Sequence, residues 1–312
     1  MFKGDTVKNC IVIYNPNSGK GYYLKKIEKM KEILLDYDYN STFYKTEYKG
    51  HATKIVEEIK SADLVISIGG DGTFNEVMTG NFKRKKRLLL AHLPVGTTND
   101  IGAMYGYSKN LIRNLKLLLN GKLKKIDVCT INNKPFTYSA GFGKFVNISY
   151  ETPRELKRKY GYLAYLIEAL KDFHGPTKLY NMTYNIGDKT ITGNFSFVLI
   201  SNANRIAGIE NFYRDIKLDD NKFEILMCDS TAKKDLARSL YYLKTSDITK
   251  APGFYFYKTD KFSITINSED ISWSLDGEKF NDRTNTFDIK IVRNVEVLLP
   301  RKNIKKLFIN NE

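Results

Sequence analysis

A chain of 312 residues with 42% hydrophobic and 13% aromatic content carries enough apolar material for packed cores and is long enough for two domains. That composition excludes a disordered chain, and no apolar run approaches the ~20 residues that a bilayer-crossing helix needs. The formal net charge of +15 asks for an anionic partner: nucleic acid, an acidic membrane surface or phosphorylated small molecules.

The charge is clustered. Lys83-Arg84-Lys85-Lys86-Arg87 is unbroken, and Arg154, Lys157, Arg158 and Lys159 form a second group beside Tyr160, Tyr162 and Tyr165. Both read as docking faces for an anionic membrane, against the plainer reading of solvated lysines. Cys10, Cys129 and Cys228 lie far apart within apolar runs and read as small core residues of a reducing compartment. His51, His92 and His174 have no metal-ligand spacing, and the N-terminus shows no signal sequence. The expectation is a cytoplasmic protein peripheral to the inner face of the membrane.

In chain order, Asn9 to Tyr14 reads as a buried strand that ends in Asn15-Pro16-Asn17-Ser18-Gly19-Lys20-Gly21, a loop of turn formers and amide donors. A helix from about Tyr22 to Leu35, a strand from Tyr39 to Tyr44 and a helix from about Thr53 to Lys60 follow. Leu64 to Ile68 is a β-branched, apolar run that suits a buried parallel strand. It runs into Gly69-Gly70-Asp71-Gly72-Thr73, with Thr73 as helix N-cap and Glu76 three residues on completing a capping-box pattern. Strand, glycine turn and helix N-terminus suit a phosphate, because free amides and the helix dipole face it. The alternative is a tight turn without ligand.

Leu88 to Leu93 is the next strand and opens into Pro94-Val95-Gly96-Thr97-Thr98-Asn99-Asp100, whose Thr97, Thr98 and Asn99 also suit a plain helix cap. Alternating strands and helices imply a doubly wound parallel sheet with ligands at its carboxyl edge, so the loops at 15–21, 69–73 and 96–100 should converge. A helix from Leu111 to Leu119 stops at Asn120-Gly121.

From Lys124 short strands take over, with turns at Asn132-Asn133 and Gly187-Asp188. Strands are expected at 195–201, 224–228, 254–259, 262–267, 287–292 and 295–299, and helices at 153–173 and 231–244, giving an antiparallel β-sandwich domain. Two carboxylate clusters stand here. Asp276 and Glu278 flank Gly277; in extended backbone residues two apart face one side, which suits a general base with a neighbouring carboxylate, while Asp-Gly is equally a hairpin turn. Asp219-Asp220-Asn221 is by itself a turn before a strand.

Gly69-Gly70-Asp71-Gly72-Thr73 continued by Asn75-Glu76-Val77 and Gly80, together with Pro94-x-Gly96-Thr97-x-Asn99-Asp100, resembles the diacylglycerol kinase catalytic family, which includes bacterial lipid kinases and the sphingosine and ceramide kinases. NAD kinases share the first loop and lack the second motif. The resemblance extends over nearly the whole chain and implies an α/β nucleotide domain (1–125, with 301–312 returning to it) joined to a β-sandwich acceptor domain (126–300), with the acceptor pocket between them. It implies an ATP- and magnesium-dependent kinase of a lipid hydroxyl, with diacylglycerol as default acceptor and phosphatidic acid as product. Asn15, Ser18, Gly19, Gly69, Gly70, Gly72, Thr73, Glu76, Gly96, Thr97, Thr98, Asn99 and Asp100 would line the nucleotide site. Asp71 would hold magnesium directly or through water, Glu278 would be the base and Asp276 would orient it. Asp220 matches an aspartate that binds a structural magnesium ion, with Asn221 in place of the family's glycine.

Other acceptors stay open: another lipid alcohol, a sphingoid base or, in an NAD kinase-like enzyme, the dinucleotide. A nucleotide-binding pseudokinase is disfavoured by intact Asp71, Asp276 and Glu278, and nucleic acid by the absence of a reader motif. A homodimer stays open.

Overall fold

The computed structural model describes residues 7–144, 177–229, 241–242, 247–268, 271–301 and 304–309. The expected helix at 153–173, most of that at 231–244 and the basic group at 154–159 lie outside the described residues. The chain divides into two units, 1–126 with 294–312 and 127–293.

The first unit is built on a parallel sheet. Its strands are β1 (Lys8–Tyr14), β2 (Tyr39–Lys45), β3 (Leu64–Gly69) and β4 (Leu90–Pro94), in the order β2-β1-β3-β4. The helices between and after them are α1 (Ile27–Asp36), α2 (His51–Glu58), α3 (Asp71–Phe82), α4 (Asp100–Met104) and α5 (Leu111–Leu119). The period of two along each strand sorts the side chains: Cys10, Val12, Leu64, Ile66, Ile68, Ala91 and Leu93 meet the apolar stripes of α1 and α5. The helix expected from Tyr22 begins instead with 3-10 turns at Ser18–Gly21 and Leu24–Lys26, and becomes α-helical at Ile27.

On the other side of the sheet Ser67 and His92 form a buried polar pair, with Ser67 Oγ 2.8 Å from His92 Nδ1. The imidazole stacks on Phe74 of α3 at 5.0 Å. The α2–α3 contact depends on Gly80, where a Cβ would lie 2.5 Å from the Thr53 carbonyl oxygen and 2.8 Å from Val56 Cβ. Cys10, Cys129 and Cys228 are free and buried, as expected of core residues.

The second unit is a pair of antiparallel sheets. The strand β5 (Lys122–Ile131) leads in, and a two-residue turn at Asn132 and Asn133, both at positive φ, returns it to β6 (Lys134–Phe136). Then come β7 (Ser139–Gly143), β8 (Tyr180–Ile186), β9 (Lys189–Phe195), β10 (Phe197–Ser201), the short pair β11 (Arg205–Ile206) and β12 (Ile209–Glu210), and β13 (Phe223–Cys228). The last are β14 (Phe254–Thr259), β15 (Lys261–Ile266), β16 (Trp273–Leu275), β17 (Glu278–Phe280) and β18 (Thr286–Leu299). One sheet runs β14-β13-β10-β7-β16-β17; the other places β15 between β18 and β8, with β9 beyond. Alternate residues of both interleave in one core, where Trp273 meets Phe287 at 5.3 Å and Phe142 meets Tyr180 at 4.6 Å. The two strands expected at 287–292 and 295–299 are one strand, β18, with Asn294 at φ 57° in its course. From Asn294 onward it belongs to the first unit, where Val297 pairs in parallel with Leu90. Among the described residues no helix is long and apolar enough to cross a membrane.

Burial pushes the His92 pKa down from 6.5 to about 3, so the folded protein holds it neutral. The unfolded chain protonates it below about pH 6.5, so its stabilising contribution is complete above that value and is lost as pH falls towards 3. About two pH units below 6.5 the loss is roughly 2–3 kcal/mol. Thermal melts of wild type and His92→Gln should therefore differ most at neutral pH, and the gap should narrow or reverse near pH ~4.5.

Candidate active site

The three loops expected to converge do so at the carboxyl ends of β1, β3 and β4. The Asn15 amide donates to the Ile68 carbonyl at 3.0 Å, which joins the first loop to the end of β3. Tyr23, fully buried, donates its hydroxyl to the Asn15 carbonyl. Gly19 lies at φ 57°, and a Cβ there would run into the Val95 carbonyl, so the first loop also touches the third. Between the second and third loops the backbones nearly meet: a Cβ on Gly96 would lie 2.6 Å from Gly70 Cα. The result is a rim in which glycine backbone of the three loops approaches closely.

Helix α3 starts at Asp71, with Gly70 as its N-cap and no side-chain cap, three residues earlier than Thr73 capping requires. Thr73 is buried and donates its amide to the Gly70 carbonyl at 2.9 Å, while its side chain fills the space left by Gly69. That amide is therefore not offered to a phosphate. The amides of Asp71 and Gly72 stand in the first turn, where an α-helix cannot bond them internally. Glu76 does not close a capping box on its own helix either. Its carboxylate accepts from the Gly50 amide at 2.8 Å and the Ala52 amide at 3.3 Å, at the N-terminus of α2.

The Asp71 carboxylate reaches across the rim. Oδ2 accepts from the Asp100 amide at 2.9 Å and Oδ1 from the Ile101 amide at 3.2 Å, at the N-terminus of α4. Asn99 takes the left-handed conformation at φ 52° and donates Nδ2 to the Gly96 carbonyl at 2.7 Å, which closes the third loop on itself. Its Oδ1 is buried without a hydrogen-bond partner. Asp100 is buried, Thr97 is exposed, and Ser18 and Thr98 are half-buried.

In the second unit Leu275 pairs with Glu278, so Asp276 and Gly277 are the two central residues of a β16–β17 hairpin, at φ 49° and 81°. The extended-backbone reading of Asp276 and Glu278 is thereby corrected: both φ values are positive, as in a tight I′-type turn, and the two side chains part. Asp276 points inward and is buried, while Glu278 is exposed. The Asp276 carboxylate accepts from the Thr137 amide (2.6 Å) and hydroxyl (2.7 Å), the Tyr138 amide (2.9 Å) and the Ser139 amide (3.1 Å). Burial raises its pKa and these donors pull it back. The three amides can only donate, so the cradle is built for the ionised form. Thr137 to Ser139 carry no local sequence signal for this role; only the fold brings them to the hairpin.

Asp220 does not stand ready for a metal ion. Its Oδ2 lies 2.7 Å from Lys258 Nζ, and its Oδ1 accepts the Lys222 amide at 3.0 Å. Among the described residues no group of three or more His, Cys, Asp or Glu side chains is gathered to hold a metal. Asn221 does take the left-handed backbone, at φ 60°, that the family's glycine would favour. The side chains present thus fit an ammonium at this turn and do not fit the structural magnesium that the resemblance implies.

Two substitutions test these placements. Asp71→Ala removes the acceptor for two α4 amides and should cost about 0.5–2 kcal/mol in denaturant unfolding, the range of a lost N-cap. Asp276→Asn turns one acceptor oxygen into a donor facing N–H groups and should cost about 1–3 kcal/mol, measured in the same way.

Comparison with known proteins places this geometry. Residues 9–131 match the family model of the diacylglycerol kinase catalytic domain. The diacylglycerol kinase of Staphylococcus aureus is 28% identical over 307 residues, covering 98% of this chain and 96% of that protein. A crystal structure of a diacylglycerol kinase from Bacillus anthracis superposes with a TM-score of 0.78 at 23% identity, over 94% of this chain and 97% of that one. The yeast NADH kinase, solved with NADH, is a more distant likeness of fold, with a TM-score of 0.53 at 12% identity over 97% of this chain and 88% of that one. With its glycine loops, its α/β unit and its antiparallel unit, the chain is similar to the diacylglycerol kinases over nearly its whole length, and residues 9–131 match that family's catalytic domain.

Proposed function

We propose that the protein is an ATP- and magnesium-dependent lipid kinase that phosphorylates diacylglycerol to phosphatidic acid. The observation that carries this reading is the glycine-lined rim at the N-terminus of α3, where Gly70 and Gly96 approach each other and Asp71 stands at the first helical position. First-turn amides and the positive end of the helix dipole favour the phosphates of a nucleotide there. Gly19, Asn99 and the exposed hydroxyl of Thr97 complete the donor site. The Asp71 carboxylate, whose oxygens accept the Asp100 and Ile101 amides, would hold the cation directly or through water. Bound magnesium would neutralise charge on the transferring phosphoryl group.

Glu278 is the base. Its exposed carboxylate takes the proton from the acceptor hydroxyl, the hydroxyl oxygen bonds to the γ-phosphorus, and the bond to the β–γ bridging oxygen breaks to release ADP. Asp276 acts through position: its four hydrogen bonds fix the turn from which Glu278 projects. The acceptor is a membrane lipid, and an anionic bilayer surface suits the chain's excess of cations. Of the run at 83–87, Lys83 pairs with Glu57 at 2.7 Å, Arg84 donates to the Val56 and Ile59 carbonyls, and Arg87 lies over the Phe82 ring. Lys85 and Lys86 are the exposed cations left to face lipid, worth about 1 kcal/mol each near the surface.

The likeness in fold to an NADH kinase makes the dinucleotide the second acceptor to test. ATP consumption should be seen with diacylglycerol in mixed micelles and should exceed that with sphingosine or NAD; turnover with NAD alone would overturn the assignment. Glu278→Gln should lower the single-turnover rate by roughly 10²–10⁴ with ATP binding intact, and an unchanged rate would remove the base from Glu278. Asp71→Asn should abolish turnover while keeping most of the α4 cap.

A further inference from the structure

The second unit holds a buried acidic cluster that phosphoryl transfer does not use. Glu224 on β13 and Lys258 on β14 are direct cross-strand partners, so their side chains leave the same face of the sheet. Glu224 is 1% exposed, and its Oε1 lies 3.1 Å from Lys258 Nζ. The same Nζ lies 2.7 Å from Asp220 Oδ2 and 3.4 Å from the Asp215 carbonyl oxygen. An ammonium has three N–H donors, and three oxygens surround this one. Two of them belong to the 215–220 segment and one to a sheet strand. A further carboxylate backs the turn from behind, where Asp127 Oδ2 accepts the Asn221 amide at 2.6 Å.

A chain segment rich in carboxylates that packs on a buried glutamate needs a cation to hold it. We propose that the Lys258 ammonium is that cation: an internal counter-ion that fastens the Asp215–Glu224 segment to the sheet and makes a structural metal at Asp220 unnecessary. A divalent ion would demand close oxygen ligands around the same carboxylate, and Asp220 already gives one oxygen to Nζ and the other to the Lys222 amide. Lys258 also sits where no local pattern marks it, 38 residues beyond Asp220 in sequence and opposite Glu224 only through strand pairing.

The test uses the whole chain without nucleotide and reads thermal unfolding and metal content. Wild type should melt at the same temperature in EDTA and in magnesium chloride, and purified protein should carry no stoichiometric metal. Lys258→Met should melt several degrees lower in EDTA and regain part of the loss in magnesium, as the vacated carboxylates take the ion. Asp220→Asn in the Lys258→Met background should remove that recovery. Wild-type melting that falls on chelation and returns with magnesium would overturn the proposal, as would a Lys258→Met melt identical to wild type. If Lys258→Met does not fold, the wild-type chelation and metal measurements decide alone.

Discussion

The carboxylate of Asp71 is the constraint on which the first unit's rim depends. It opens α3 and accepts the first amides of α4, so two loops separated by a whole strand share one hydrogen-bonded junction. Each helix N-terminus it touches is a partial positive charge, and one half-buried anion between two of them relieves both. The glycines follow from that junction. Once α3 and α4 are drawn together, Gly96 has room only for backbone, since a Cβ there would lie 2.6 Å from Gly70 Cα. No side chain caps that end of α3, which keeps the partial positive charge of a helix N-terminus.

Helix α2 shows the same economy at both ends. Glu76 of α3 satisfies amides at its start, and Arg84 donates to the Val56 and Ile59 carbonyls at its finish. Residues that look functional in a motif or a basic run thus serve helix termini. For Arg84 this use is in competition with lipid docking, since a guanidinium held by carbonyls cannot turn outward without exposing them.

In the second unit two buried carboxylates differ in their surroundings: Asp276 accepts four hydrogen bonds, while Glu224 has an ion pair and no hydrogen-bond partner on either oxygen. Asp276 is surrounded by neutral donors, three of them amides, and rigidifies a turn. Glu224 is met by an ammonium and burial still raises its pKa to about 7, with Lys258 opposing that rise. The first arrangement fixes a neighbouring exposed side chain in place; the second ties a loop to a sheet. Both carboxylates are buried, whereas Glu278 on the same hairpin as Asp276 is exposed.

Local chemistry in the sequence was enough for much of the fold. Apolar runs of strand length at 64–68 and 254–259, turn pairs at 132–133 and 187–188, and the stop at Asn120-Gly121 are short-range signals, and each governs the element beside it. The glycine loops were legible too, because three glycines around Asp71 have few other uses. What the sequence could not hold is direction and partnership. Asp276 and Glu278 are two residues apart whether the chain is extended or turned, and only the hairpin register sends one inward and the other out. Glu76 has the spacing of a capping box, yet tertiary packing lays Gly50 and Ala52 within its reach and gives it another helix to cap. Asp220 carries the mark of a metal ligand, while strand pairing 38 residues later supplies Lys258 in its place. Hydrogen-bond partners across such distances are set by which surfaces pack, and packing is a property of the whole chain.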